Sequence, residues 1–517
     1  MFKPLNDSLR KVARGTGIAL IGMTSGVLFT FFTRLIIARY GLRANYGIFS
    51  LALVILNFAM LIASLGLRQG TTRYIAYLRG KDDATKVRAT ISASLKLATT
   101  ASIIICLVLF FAAAPIAKSV FHTPDLVLPI RIFAVAIPFL TLINILAAVH
   151  RGFNRVEPQL YFQYITLNAT FLIFLTIVSA SNLPFTSVFY AYLTALIITF
   201  ISMSIYTTRK LPREISLTTT QNTPPITKEL LLFSLPLMGS TMLHQIVIWT
   251  DTLMLGYFKA PEVVGLYNAA QPLAQFISEP LTALALIYTP IATALYSQNL
   301  MPELRRNYIV VTKWVISLTL PIFLILCLYP GAVLNLFFGS KYIAAANALR
   351  ALSLGFIIAN LLGPNGTTLI ALGHPRFMLV TNLAAAIMNI ILNAIFIPPL
   401  GIVGAAMTSA VSIAFVDIVQ SIRLYSVCKA QPFSKDLLKP LIISVLLAFA
   451  IQAVGYRFLT LNWWVLLILS AVYYAIYALA MLFTRSFSKE DIALLLEIGK
   501  RSGINATLVK RILGRFL

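Results

Sequence analysis

Charged side chains inside apolar runs are the residues of this sequence whose chemistry most needs an explanation. Arg34 stands in an otherwise uncharged stretch, residues 18–38, and Asp251 is the one acid of "IVIWTDTLMLGYF". A charge in hydrocarbon costs about 2.5–3.5 kcal/mol on insertion scales, so it either reaches water or faces a partner or ligand. A guanidinium binds phosphate or carboxylate through two parallel hydrogen bonds. The two residues predict a charge-binding cavity; alternatively, Arg34 extends about 10 Å to the outer surface.

Polar residues near these charges extend the predicted cavity. His244 lies seven residues before Asp251 on the same helical face, and Gln245 follows it. Asn57 and Asn360 are amides in apolar runs, which either contact hydroxyl groups of a ligand in the cavity or hydrogen-bond to a neighbouring helix. A bond to a neighbouring helix is the alternative for His244 as well.

Three further candidates lie towards the predicted inner side. Lys96, in "ISASLKLATTAS", either extends to the inner surface or binds a substrate phosphate. Asp417 and Gln420 lie three residues apart and form either a polar inner vestibule or a structural contact. The three cysteines are far apart and indicate neither a disulfide framework nor a metal site. We expect no cofactor. The sequence does not indicate whether an ion such as Na⁺ or H⁺ is coupled.

The elements that position these residues are transmembrane helices. Of the 517 residues 59% are apolar and 11% charged, with a mean hydropathy of +0.88, which indicates a polytopic membrane protein. Runs of about 20 apolar residues, the length that crosses a bilayer, occur fourteen times. They are continuously apolar, unlike barrel strands, and the first is too long for a signal peptide. The runs are 16–38, 45–66, 89–112, 130–149, 161–181, 185–207, 230–256, 266–290, 309–330, 348–371, 377–397, 401–423, 440–460 and 463–483.

Lysine and arginine indicate the orientation of these helices. With the N-terminus inside, 31 of the 41 basic residues fall in inner segments, 8 in outer segments and 2 within helices. Both termini are therefore expected in the cytoplasm. The net charge of +25 follows from this topology and from contact with anionic lipid, so nucleic acid binding is not needed to explain it.

Short matches between the two halves of the chain predict an internal repeat. "ARYGLRANYGIF" (38–49) matches "LGYFKAPEVVGLY" (255–267), and "RGFNR" (151–155) matches "LGHPR" (372–376), at offsets of about 217 to 221 residues. Arg34 falls on Asp251 at the first of these offsets. The sequence thus predicts an all-α membrane protein of two pseudo-symmetric six-helix lobes plus two extra C-terminal helices. The predicted segments are the lobe 1–208, the linker 209–228, the lobe 229–424, helices thirteen and fourteen in 425–484, and a basic amphipathic tail, 485–517, on the inner leaflet.

Several of these stretches resemble those of a known family. "YGIFSL" (46–51), "GLRQGTTRYIAYLRGK" (66–81), "RGFNR" (151–155) and "PLGIVGAAMTSAVS" (399–412) are similar to the polysaccharide transporter family, the Wzx-type oligosaccharide flippases of the multidrug/oligosaccharidyl-lipid/polysaccharide exporter superfamily. The resemblance covers roughly residues 5–485. It implies the flipping of a lipid-linked oligosaccharide across the cytoplasmic membrane by alternating access of two lobes, and it brings no catalytic motif.

The expected substrate is a polyprenyl-(pyro)phosphate-linked oligosaccharide, whose diphosphate cannot cross hydrocarbon unaided. A lipid II or multidrug exporter of the same superfamily is the alternative. A membrane glycan polymerase or ligase is disfavoured because the longest predicted outer loop, 113–130, offers only Lys118, His122 and Asp125. The protein is expected to act as a monomer, alone or with glycan polymerase or glycosyltransferase partners.

Overall fold

The computed structural model describes residues 25–210 and 226–433, Gly22, and single residues and short stretches between 439 and 480. This part of the chain consists of helices joined by short turns, which confirms the predicted all-α fold. The predicted linker 209–228, helices thirteen and fourteen and the tail 485–517 lie wholly or largely outside the described residues.

Seven helices make up the first half of the described chain. α4 continues into a π-helical turn, Ile116–Val120, and a 3-10 turn, Pro124–Leu126, precedes α5. α6 contains a π-helical segment, Leu160–Thr166. The helices are α1 (25–40), α2 (Arg43–Ala63), α3 (Leu67–Arg79), α4 (Ala84–Pro115), α5 (Val127–Gly152), α6 (Glu157–Ala180) and α7 (Ser187–Lys210).

Nine helices follow in the second half of the described chain. Short 3-10 segments, Phe276–Ser278 and Ser340–Ala345, lie between α9 and α10 and before α13. The helices are α8 (Thr227–Phe258), α9 (Pro261–Gln275), α10 (Glu279–Ser297), α11 (Met301–Leu328), α12 (Pro330–Phe338), α13 (Ala346–Leu361), α14 (Asn365–Ala371), α15 (Pro375–Leu400) and α16 (Ile402–Cys428).

The order of helices α1 to α7 recurs in α8 to α16, which agrees with the predicted repeat. α4 begins at Ala84 and α11 at Met301, an offset of 217 residues. In both copies the second span is interrupted, at residues 64–66 in the first copy and at Phe276–Ser278 in the second. α13 and α14 together take the place that α5 has in the first copy.

Ten helices within the described residues are long and apolar enough to cross a membrane, and eleven are if the two arms of α8 form one bent span. The arms, Thr227–Leu243 and Ile248–Phe258, meet at 61°. The predicted total of fourteen includes two spans beyond residue 433, so it stays a prediction. Within the described chain, the predicted helix 348–371 is divided at residues 362–364, where Gly363 has a φ of +71° and Pro364 follows.

The chain divides into two compact units, of which the first comprises Ile18–Gly265 and the second begins at Leu266. α8, the first helix of the second copy, packs on α2 and α3 and belongs to the first unit. Glycines permit the close approach within this unit. A Cβ on Gly47 would lie 1.8 Å from the carbonyl oxygen of Pro261, and one on Gly265 would lie 2.2 Å from that of Arg43.

α4 begins five residues before the predicted start at residue 89. Asp83 caps it, because its carboxylate accepts a hydrogen bond of 2.9 Å from the Lys86 backbone N–H. This bond favours the ionised carboxylate and lowers the pKa of Asp83. Lys96 consequently lies about three turns into α4, deeper than the one or two turns that the hydropathy pattern suggests.

Candidate functional site

Arg34 and Asp251, the two charges predicted to line a cavity, both lie in the first unit. Arg34 is half-buried on α1, and its charge acts on the hydroxyl of the buried Tyr46 of α2. Asp251 is buried on α8, and α8 packs with this unit although the sequence places Asp251 in the other predicted lobe. Gln245 is half-buried on the same helix, whereas the side chain of His244 lies outside the described residues.

A row of side-chain amides runs along α6 in the first unit. The Gln163 amide nitrogen donates to Oδ1 of Asn144 on α5 at 3.0 Å. The Thr30 hydroxyl on α1 lies 3.5 Å from Oδ1 of Asn168, at the limit of a hydrogen bond. We call Asn144, Gln163, Asn168 and Thr30 the amide seam. It joins α1, α5 and α6, and Arg34 stands one turn beyond Thr30 on α1.

The local geometry of α6 explains how the amide seam forms. Leu160–Thr166 is π-helical, and this wider turn contains Gln163. Short π-helical segments inside α-helices occur frequently at functional sites. α1 approaches the same segment closely, because a Cβ on Gly26 would lie 2.6 Å from the Tyr164 side chain. The small residue on α1 thus brings the backbone of this helix next to the polar face of α6.

Two arginines lie near the α5–α6 turn, at the end of the amide seam that is closer to Gln159. Nη1 of Arg151, in the last turn of α5, donates to Oε1 of Gln159 at 2.9 Å. Gln159 lies one turn before Gln163 on α6. Nη2 of Arg151 reaches the carbonyl oxygen of Arg68, at the start of α3, at 3.4 Å.

The two predicted vestibule residues lie where α14 packs on α16 in the second unit. Nδ2 of Asn365 donates to the backbone carbonyl oxygen of Asp417 at 2.9 Å and to Oγ of Ser421 at 3.0 Å. Gln420 is buried, and its Oε1 lies 2.7 Å from the position that a Cβ on Gly366 would take. The Asp417 side chain is half-buried. Asp417 thus contributes to the contact of α14 with α16 through its backbone carbonyl, and Gln420 lies close to Gly366 in the same contact.

Two further polar pairs stabilise the second unit. The Tyr288 hydroxyl and the Thr368 hydroxyl lie 3.0 Å apart and connect α10 with α14. Nδ2 of Asn393 donates to Oδ1 of Asn389 at 3.1 Å within α15. All four side chains are buried.

The remaining predicted site residues have individual surroundings. Nδ2 of Asn57 donates to the Leu53 carbonyl oxygen of its own helix at 2.8 Å. Asn360 is buried, and its Nδ2 donates to the Ile277 carbonyl oxygen at 2.6 Å, which links α13 to the 3-10 segment after α9. Lys96 is exposed on α4. Arg34 thus lies one turn from Thr30 of the amide seam, and Asn57 lies three residues before Met60, whose Sδ is 3.5 Å from Nδ2 of Asn144.

Two family models and two relatives match this sequence. A family model described as "Polysaccharide biosynthesis protein" matches residues 12–296, more than half of the chain, and a second, "MatE", matches residues 236–395. A probable low-salt glycan biosynthesis flippase of Haloferax volcanii is 26% identical over 166 residues, 32% of this chain and 35% of that protein. A teichuronic acid biosynthesis protein of Bacillus subtilis is 26% identical over 139 residues, 26% of this chain and 28% of that protein. The chain thus matches about a third of the length of these relatives.

Solved structures share the fold. The lipid II flippase MurJ in an inward closed conformation matches with a TM-score of 0.72 at 16% identity, over 90% of this chain and 98% of that one. An inward-facing multidrug resistance transporter of the MATE family, of the MOP superfamily, matches with a TM-score of 0.66 at 17% identity, over 78% of this chain and 95% of that one. The predicted fold class is confirmed by these likenesses. Because the family model covers more than half of its length, the chain belongs to the polysaccharide biosynthesis protein family of multi-pass membrane proteins.

Proposed function

We propose that this protein flips a polyprenyl-(pyro)phosphate-linked oligosaccharide from the cytoplasmic to the outer leaflet of the cytoplasmic membrane. The observation that carries the proposal is membership of the polysaccharide biosynthesis protein family over residues 12–296. A relative named as a probable glycan biosynthesis flippase supports it. Both termini lie in the cytoplasm in this proposal, as the distribution of basic residues predicts.

The polar groups of the first unit suit such a substrate. A diphosphate must be sheltered from hydrocarbon, and the half-buried Arg34 offers a guanidinium that binds phosphate bidentately. The amides of Asn144, Gln163 and Asn168 are groups that hydrogen-bond sugar hydroxyls, because each carries both donors and an acceptor. Transport by alternating access of the two lobes needs no covalent chemistry, so we propose a transporter and not an enzyme.

A flippase assay in cells tests the proposal against its alternatives. Deletion of the gene should make a lipid-linked oligosaccharide accumulate in the inner leaflet, and expression of the full chain should restore its appearance outside. If the protein were a lipid II exporter, its deletion would instead make lipid II accumulate. If it were a multidrug exporter, its deletion would change drug susceptibility while glycan export stays normal. If it were a polymerase or ligase, its deletion would leave single repeat units on the outer leaflet. Any of these three results would contradict the proposed substrate or activity.

Energy coupling is tested separately with purified protein in vesicles. A Na⁺ or H⁺ gradient that accelerates flipping would identify a coupling ion. If the flipping rate is the same with a Na⁺ gradient, with an H⁺ gradient and with neither, the substrate is flipped down its own concentration gradient. The partners proposed for the cell are glycosyltransferases that supply the lipid-linked glycan and a polymerase that consumes it.

A further inference from the structure

Arg151 is a half-buried cation at the predicted cytoplasmic end of the first unit. Its guanidinium is oriented by two hydrogen bonds, of 2.9 Å to Oε1 of Gln159 and of 3.4 Å to the carbonyl oxygen of Arg68. Both partners are neutral oxygens, so in the described part of the chain these bonds fix the position of the charge without cancelling it.

A second cation stands beside it. The positive charge of Arg68 repels that of Arg151. Two neighbouring guanidinium groups repel each other, and an anion bound between them is attracted by both and offsets this repulsion. Arg68 is exposed, so an anion can approach the pair from the predicted cytoplasmic side.

The packing of α3 on the end of α5 holds the two cations together. The Thr72 hydroxyl, one turn after Arg68, lies 3.1 Å from the Ala148 carbonyl oxygen on α5. Nη1 of Arg79 donates to the Gly152 carbonyl oxygen at 3.1 Å. A Cβ on Gly152 would lie 2.6 Å from Ile75, so the two helices touch at a glycine. The backbone of α3 is therefore fixed on the end of α5, and the Arg151 side chain is preorganised, which lowers the cost of ordering it on binding.

The pair is continuous with the amide seam. Gln159, which orients Arg151, lies nine residues before Asn168, and Arg34 lies four residues beyond Thr30. At 1.5 Å per residue these steps place Arg151 and Arg34 on the order of 20 Å apart, with amide groups between them. A polar path thus begins at one cation and ends at another within a single unit.

We propose that Arg151 and Arg68 form a phosphate-binding station that receives the diphosphate of the lipid-linked substrate before it reaches Arg34. This inference rests on the proposed function, because it takes the phosphate to be that of the substrate. The same chemistry would bind the phosphate of an anionic phospholipid. A purely structural role, in which Arg151 only ties α5 to α6 through Gln159, makes different predictions.

Binding of polyprenyl diphosphate to the full chain in nanodiscs tests the station directly. The variants are Arg151→Gln and, as a matched control, Arg155→Gln. Arg155 lies on the same turn, is exposed, and donates to the Lys210 carbonyl oxygen. Both substitutions remove one charge from the same surface. In nanodiscs of phosphatidylcholine we expect Arg151→Gln to weaken binding about tenfold or more and Arg155→Gln to leave it unchanged. Equal effects of the two variants would overturn the proposal.

A second arm separates the two sources of phosphate. Phosphatidylglycerol is added to the nanodiscs in place of polyprenyl diphosphate, and its binding is compared between the protein and the two variants. A loss confined to phosphatidylglycerol would assign the pair to the membrane surface and overturn the substrate station. A loss confined to polyprenyl diphosphate supports the station.

Flipping kinetics distinguish the station from a structural role. Arg151→Gln should raise the substrate concentration for half-maximal flipping, with a small change in maximal rate, and Arg151→Lys should restore part of the affinity. A fall in maximal rate that Arg151→Lys does not relieve would indicate a structural role. If the unaltered protein binds polyprenyl diphosphate through Arg151 yet flips no oligosaccharide, the proposed function fails while the phosphate station stands.

Discussion

Arg34 is the residue on which the proposed transport step depends most. It is half-buried on α1 at the end of the amide seam. We expect Arg34→Ala to abolish glycan export with the protein still folded, and Arg34→Lys to retain part of it, because lysine keeps the charge and loses the bidentate geometry. Complementation at matched protein levels measures both. Normal export by Arg34→Ala would make Arg34 a residue that extends to the outer surface.

Substitution of Asp251 distinguishes two possible roles of Arg34, which are the binding of phosphate and the neutralisation of the Asp251 carboxylate. If Arg34 only neutralises Asp251, Asp251→Asn should rescue Arg34→Ala, since no uncompensated charge remains. If Arg34 binds phosphate, the double variant still lacks its cation. We expect no rescue. Recovery of export in the double variant would therefore contradict the phosphate role while leaving the fold intact.

Two asparagines provide a matched test of the amide seam. Asn144 accepts a hydrogen bond from Gln163 on another helix, whereas the amide of Asn57 donates to the Leu53 carbonyl oxygen of its own helix. Asn144→Ala leaves the half-buried Gln163 amide without this acceptor, which should cost about 1 kcal/mol. Asn57→Ala should cost less. Thermal unfolding of the purified variants measures the difference, and equal midpoints would contradict the role of the amide seam.

The sequence reveals some of these residues and conceals others for a physical reason. Arg34 and Asp251 are conspicuous because a charge among apolar residues is costly. Arg151 escapes prediction because it falls in a short basic segment, where topology alone explains a positive charge. Gln163 escapes because its partner Asn144 is nineteen residues away on another helix. A pair of this kind becomes visible only when the packing of α5 and α6 is known.

At the scale of elements, the close approach of α2 to the start of α9 depends on Gly47 and Gly265. A Cβ on Gly47 would collide with the Pro261 carbonyl oxygen, whereas Gly239 on α8 has no heavy atom within 4 Å of its Cβ position. We expect Gly47→Ala to push the two helices apart and lower export, and Gly239→Ala to be tolerated. Crosslinking between cysteines placed on α2 and α9 would report the separation. Unchanged crosslinking and export in Gly47→Ala would show that the crossing yields without cost.

Hydropathy finds long helices and misses two features of this fold. α3 is polar along most of its length and contains three arginines, so no apolar run reveals it. The break between α13 and α14 is hidden because its residues, "LGP", are flanked by apolar sequence, although Gly363 and Pro364 mark it locally. The apolar length of a span predicts that it crosses the membrane. Its interior turns depend on contacts such as that of the Tyr308 hydroxyl with the Leu362 carbonyl oxygen.

At the scale of the whole molecule, the charge distribution predicts which positions face which side. Lys210 and Lys489 should face the cytoplasm, and Lys118, Lys259 and Lys341 should face outward. Single cysteines at these positions, labelled with a membrane-impermeant reagent in intact cells, measure this directly. An outside label at position 489 would contradict the count of fourteen helices. The two termini would then lie on opposite sides of the membrane, which requires an odd number of spans.

The packing of α8 has a consequence for how the chain is made. Membrane helices emerge from the ribosome in order, and a domain generally folds once its last residue is available. The first unit extends to Gly265 and uses α8, so it stays incomplete until residues 226–265 have been synthesised.

Split polypeptides would test this order of assembly. We expect residues 1–265, which contain the whole first unit, to accumulate stably when produced alone, because they include α8. A polypeptide of residues 1–217 should be degraded unless residues 218–517 are produced with it, since only the second piece then supplies the missing helix. Co-purification of the two pieces measures their assembly. If the N-terminal piece that ends at residue 217 is as stable alone as the longer one that contains α8, then the first unit is complete without α8.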